Sequence, residues 1–187
     1  MFHADQSTLA PRERTLLRRL EREYTPEIAR NVLVPLITHQ SAVSLRTLDW
    51  AVVNWSKKHN IICLSHVPGE TTNIHQSYRQ TLAFWRRRLF DPFRRRKRIC
   101  VVVEGEEIQT TLGQANFALW TFRTGVLAYV LSHRQSIEDD MNRVSRANRR
   151  ARRAAAAQGA RRERCELTHA PGAYCVAFAS PSQVTFR

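Results

Sequence analysis

The sequence predicts an α+β fold: a single domain with a small antiparallel sheet packed by several helices, followed by an Arg-rich C-terminal helix. Three observations carry that expectation. Apolar residues recur at helical spacing in several segments. Residues 98–112 read as a β-hairpin, with RICVVVE and EEIQTTL flanking Gly105. From Ser136 onward, Arg and Ala fall at spacings that give one helix an apolar face and a basic one. The expected organisation is a globular unit over 1–142, a basic Arg/Ala helix over 143–164, and a tail over 165–187 with short β-like runs at 174–179 and 183–186. A length of 187 residues fits one domain of ordinary size. With 43% apolar residues a real core can form, which excludes a wholly disordered basic chain.

Taken in chain order, residues 8–23 read as a charged helix with Leu9, Leu16, Leu17 and Leu20 as its apolar stripe. Thr25-Pro26-Glu27 starts the next: a cap, Pro at the first position, an acid in the first turn. Pro35 should bend or end it. Ser44 caps a helix to about His59, with Leu45, Leu48, Ala51, Val52 and Trp55 at helical spacing. Residues 61–67 read as a buried strand closed by Pro68-Gly69. Asn73 caps a helix through Tyr78, Leu82, Trp85 and Leu89, which Asp91-Pro92 should stop. After the hairpin, Thr111 or Gly113 opens one very apolar helix, the expected centre of the core, too short and too interrupted by Arg123, Thr124 and Gly125 to span a bilayer. Ser136 followed by Glu138, Asp139 and Asp140 reads as a helix N-terminus, because acids there complement the helix dipole. Ile137, Met141, Val144, Ala151 and Ala155 share one face of this last helix. Gly159 is its expected end.

The net charge is +14, from 30 Lys+Arg against 16 Asp+Glu. It is concentrated. Residues 86–98 hold eight basic residues and one acid; residues 143–164 hold nine Arg and one Glu; the remainder is close to neutral. Charge gathered this way points to a polyanionic partner, with nucleic acid first and an anionic membrane surface second. All but three of the basic residues (Lys57, Lys58, Lys97) are Arg. Arg matches phosphate bidentately, but a GC-rich coding sequence produces the same preference.

In the first basic element, Trp85, Phe90 and Phe93 interleave with the charges. The cations can neutralise phosphates, while the aromatics are expected to serve mainly as core anchors rather than base-stacking platforms. The residues expected to bind nucleic acid are Arg86, Arg87, Arg88, Arg94, Arg95, Arg96, Lys97 and Arg98 here. In the last helix they are Arg143, Arg146, Arg149, Arg150 and Arg153, with Arg152 widening the basic side. Lys57 and Lys58 join them, because Trp50, Asn54, Lys57 and Lys58 share one helix face that combines a core anchor with phosphate contacts. Cys63-x2-His66 and the set Cys165, His169 and Cys175 do not follow zinc-ligand spacing, so no metal or other cofactor is expected. The chain shows neither a Gly-rich phosphate loop nor a nucleophile elbow, and its carboxylates read as helix-start and turn acids, so the reading is non-enzymatic. The polar start MFHADQSTLAPRER has no apolar leader, which points to an intracellular protein with reduced cysteines.

The segments SLRTLDWAVVNWSKKHNI (44–61), FWRRRLFDPFRRRKRI (84–99), TTLGQANFALW (110–120) and IEDDM (137–141) resemble, in this order, a family of basic proteins of nucleocytoplasmic large DNA viruses that has no assigned role. The resemblance covers residues 31–142. It implies a protein of an infected host cell, its virus factory or nucleus, and of the virion in one variant. The expected function is largely sequence-independent binding of nucleic acid, DNA ahead of RNA, without membrane insertion. The alternative is a structural or scaffolding virion protein whose basic elements dock on acidic protein partners.

Overall fold

The most apolar stretch of the chain forms the centre of the molecule. Helix α5 (Leu112–Arg123) is buried on nearly every side over residues 112–121. Around it pack α1 (Pro11–Glu23), α2 (residues 26–37), α4 (Ile74–Leu89) and α6 (Val126–Ser132). Phe90, Phe117 and Trp120 meet there with ring centroids 5.5–6.1 Å apart, and Tyr78 closes the cluster. The Tyr24 hydroxyl, pushed up in pKa by burial, donates to the Ala115 carbonyl at 2.8 Å. The structure, a computed structural model, describes residues 1–66 and 69–157. The expected helix end at Gly159, the β-like runs at 174–179 and 183–186, and Cys165, His169 and Cys175 lie outside the described residues.

Sheet order is β1-β4-β5, antiparallel throughout: β1 (Phe2–His3), β4 (Arg98–Val103) and β5 (Glu106–Thr111). The expected hairpin is therefore present, with Arg98 opposite Thr111 and Val103 opposite Glu106. Its turn places Glu104 (φ 52) and Gly105 (φ 86) both at positive φ, as a two-residue hairpin turn requires. The caps follow the sequence: Thr25, Ser44, Asn73 and Thr111 each accept a backbone N–H three residues on. The result is an α+β domain with a C-terminal helix, α7 (Arg134–Ala157). The chain divides into two compact units, Met1–Ala147 and Asn148–Arg187; of the second, residues 148–157 are described and are helical.

Five expectations are corrected. The first helix begins at Pro11, not residue 8, because a separate 3₁₀ turn at Gln6–Thr8 is folded around the Asp5 carboxylate. Pro35 neither ends nor sharply breaks α2. The preceding turn, Ala29–Leu33, widens to π geometry, and the helix continues to Ile37. The strand over 61–67 shrinks to β2 (Ile62–Leu64), paired only with β3 (Thr71–Asn73). It is not buried: Ile62 and Leu64 are 60% and 77% exposed, since only the Cys63 face of this ribbon is covered. The apolar helix after the hairpin is two helices. Gly125 (φ 74) separates α5 from α6, and a Cβ there would stand 2.1 Å from the Leu64 carbonyl oxygen. The last helix starts at Arg134 rather than Ser136, which moves its acids out of the first turn. Arg134 and Gln135 bond to Glu138 and Asp139, while Asp140 turns inward.

Candidate nucleic-acid interface

The first basic element is a rigid turn rather than a loose strand of charge. It begins in the last turn of α4, whose backbone leaves helical geometry at Arg86 (φ 61, ψ 158), a conformation that favours glycine. Asp91 then fixes the turn. Its Oδ1 accepts the Phe93 N–H at 2.8 Å and its carbonyl accepts the Arg94 N–H. Three residues at the start of α5 and its cap fasten the same turn from behind. Asn116 donates to the Leu89 carbonyl at 2.8 Å, Gln114 to the Pro92 carbonyl at 3.1 Å, and Thr111 to the Arg94 carbonyl at 3.3 Å. Gly113 lets the strands of chain meet, because a Cβ there would lie 3.3 Å from the Asp91 carbonyl and 3.4 Å from that of Arg88. The motifs FDPF and TTLGQANF thus form one joint.

Three of the eight cations are engaged. Arg88 and Lys97 donate to the two oxygens of Glu13, at 3.1 and 2.7 Å, and the Ala10 N–H adds a third bond at 2.9 Å. Glu13 is 2% exposed. Burial pushes its carboxyl up, but the Lys97 and Ala10 bonds and the charges of Lys97 and Arg88 outweigh this and hold it below the usual carboxylate range. Arg98 is bonded across the hairpin to Gln109 at 2.8 Å. The charge of Arg87 acts on Asp49, whose carboxyl is nonetheless raised by burial and by Asp91. Arg86, Arg94, Arg95 and Arg96 have no ion-pair partner among the described residues; Arg86, Arg95 and Arg96 are exposed and Arg94 is half-buried. Trp85 and Phe90 are buried as expected, but Phe93 is 49% exposed beside the second Arg triplet.

The Lys57–Lys58 pair is divided by the fold. Lys57 is exposed on α3 (residues 45–59). Lys58 instead donates to Asp140 Oδ1 at 2.9 Å, while the Trp50 indole N–H donates to Asp140 Oδ2 at 3.3 Å. Arg143 binds the same carboxylate. The Lys58 bond, against the cost of burial and with help from Trp50 and Arg143, holds the Asp140 pKa below its ordinary value. Lys58 and Arg143 are therefore tied into the join between α3 and α7. Further along α7, Ile137 is buried and Met141 and Val144 are half-buried, while Ala151 and Ala155 of the expected docking face are exposed. Arg146, Arg149, Arg150, Arg152 and Arg153 are exposed, with no ion-pair partner among the described residues.

Sequence reading missed Glu13, Gln114 and Asn116. One signal was available for Glu13: it stands three and four residues before Leu16 and Leu17, on the buried stripe of α1. Cys63 and His66 do not converge with other ligands. Cys63 is buried with its thiol raised in pKa by burial, and His66 stacks on Phe122 at 3.9 Å. Among the described residues no group of three His, Cys, Asp or Glu side chains is placed to hold a metal, and no helix is long and apolar enough to cross a membrane.

The family of unknown function DUF7197 matches residues 6–177. The chain belongs to that family. The match extends past both ends of residues 31–142, to which the resemblance alone had been confined. The chain is similar to the uncharacterized protein L507 of Acanthamoeba polyphaga mimivirus, 30% identical over 125 residues. Those residues are 63% of this chain and 48% of the relative, so the chain matches about half the relative's length. No solved structure matches this DUF7197 chain.

Proposed function

We propose that this DUF7197 protein is a non-enzymatic, largely sequence-independent nucleic-acid-binding protein of a large DNA virus. One observation carries the reading. Arg94, Arg95 and Arg96 stand on a turn whose backbone is bonded to α5, with no ion-pair partner among the described residues, while neighbouring Arg88 and Lys97 share the Glu13 carboxylate. Guanidinium groups held close together without counter-charges repel one another, and a phosphate backbone relieves that repulsion. The exposed Arg side chains of α7 supply the same chemistry in a second place. The viral relative supports the setting, and DNA is the first candidate because such a virus packs a DNA genome.

A salt titration of binding to a labelled duplex, read by anisotropy, tests this. About five to eight phosphate contacts give a log–log slope of roughly −5 to −7. Weak binding that ignores salt overturns it and leaves docking on acidic proteins as the better account.

A further inference from the structure

Phe84 is an exposed aromatic that the core does not need. It is 62% exposed, whereas its neighbour Trp85 is 6% exposed. A single exposed apolar side chain is ordinary, but one that borders a groove rimmed by cations marks a candidate contact surface. The Phe84 ring stands edge-on to Trp85 with centroids 4.9 Å apart, and the backbone there is tied to α1 by a bond from Arg12 to the Phe84 carbonyl at 3.1 Å. Arg19 lies over the Trp85 ring, 5.5 Å from its centroid, and closes the other side.

The ring borders a groove of about 510 Å³ between α1 and the end of α4, lined by Thr15, Arg18, Arg19, Arg22, Phe84 and Trp85. A second hollow of about 390 Å³ adjoins it, sharing Arg19, Phe84 and Trp85 and adding Gln80, Thr81, Asn116 and Trp120. Neither lining contains an acid, and the Glu23 carboxylate pairs with Arg19 at 2.9 Å and loosely with Arg22 at 3.7 Å, leaving Arg18 without an ion-pair partner among the described residues. Arg18 and Arg22 are exposed at the groove, and Arg86 follows Phe84 by two residues at the start of the basic turn. A fixed aromatic face among cations is how proteins hold unpaired bases, with the ring stacking on the base and the cations taking the flanking phosphates. A duplex keeps its bases stacked inside and offers no free face to Phe84.

We infer that the groove between α1 and the end of α4 is a binding site for single-stranded nucleic acid, with Phe84 stacking on one base and Arg18 and Arg22 on the adjoining phosphates. This rests on the proposed nucleic-acid binding and adds the kind of strand and the residues that select it.

The test compares wild type, Phe84→Ala, Phe84→Trp and Arg18→Gln/Arg22→Gln on labelled oligothymidylate of about 16 nucleotides, on oligouridylate, and on a duplex of matched length. Phe84→Ala should weaken binding to at least one of the single strands about tenfold, with duplex binding unchanged; Phe84→Trp should restore it. The double Arg variant should reduce the single-strand salt slope by about 1.4. The two single strands show which sugar the site accepts. Equal affinity of Phe84→Ala and wild type for both single strands overturns the inference, as does an equal loss on strand and duplex. Failure of wild type to bind any of the three overturns the parent reading instead. Phe84 is at the surface, so circular dichroism should show the Ala variant folded as wild type.

Discussion

The two basic regions of this protein carry charge in opposite ways. In residues 86–98 three of the eight cations are built into the domain: Arg88 and Lys97 hold a buried Glu13 and Arg98 braces the hairpin, while α5 bonds the turn from behind. Along α7 from Arg146 onward the cations are all at the surface, without ion-pair partners among the described residues. Similar formal charge therefore does not mean similar work. The first region is both architecture and a fixed presentation of Arg94, Arg95 and Arg96. The second is charge displayed along the surface of a helix, without ion-pair partners among the described residues. Asp140 marks the change, since it engages Lys58 and Arg143 and leaves the later arginines unengaged.

The largest effect that tests this contrast is expected at Glu13. Glu13→Ala leaves Arg88 and Lys97 without their shared acid and the Ala10 N–H without its acceptor. Both cations are about half exposed and can turn to water, so the loss is about 2 kcal/mol rather than the full penalty of a buried pair. Urea unfolding measures it. A change below about 0.5 kcal/mol would mean that the first region is no more structural than the second.

Next comes binding. Arg94→Gln/Arg95→Gln/Arg96→Gln should reduce the salt slope on duplex DNA by about 2.7 and leave the melting temperature nearly unchanged. An unaltered slope would remove these residues from the interface.

Acid should then separate the regions further. Glu13 and Asp140 have pKa values below the ordinary carboxylate range in the folded protein. The unfolded chain thus binds protons first as pH falls. The stability these groups contribute is present above about pH 4.5 and is lost as pH drops through their lowered values. Asp49, raised by burial, opposes this trend. Unfolding followed from neutral to acid pH should show a shallower acid limb in Glu13→Gln, and an identical limb would exclude Glu13 as its source.

The smallest effect is the opposite control. Arg149→Gln/Arg150→Gln/Arg153→Gln should change stability by less than about 0.5 kcal/mol, because these side chains are exposed. A loss above about 1 kcal/mol by thermal melting would show that the second region is structural after all.

Local features were legible in the sequence because their causes are local. Thr25, Ser44, Asn73 and Thr111 cap helices by reaching three residues forward, and Gly105 permits its turn wherever the hairpin sits. The β-like runs on either side of Gly105 placed β4 and β5, and a nearly continuous apolar composition identified α5 as core. The two concentrations of charge were also visible by counting. What failed, failed where distant chain intervened. The split at Gly125 depends on the Leu64 carbonyl approaching it, and the exposure of β2 depends on which face of its ribbon finds cover.

The sequence alone thus determined most of the helices, the hairpin, their caps and the places where positive charge gathers, since period, turn chemistry and composition act over a few residues. Only the tertiary structure decided which charges are free. Glu13 meets Arg88 and Lys97 across 75 and 84 positions, and Asp140 meets Lys58 across 82. Such pairs depend on how helices pack, because a charge is neutralised by what stands beside it in space and not by its neighbours along the chain.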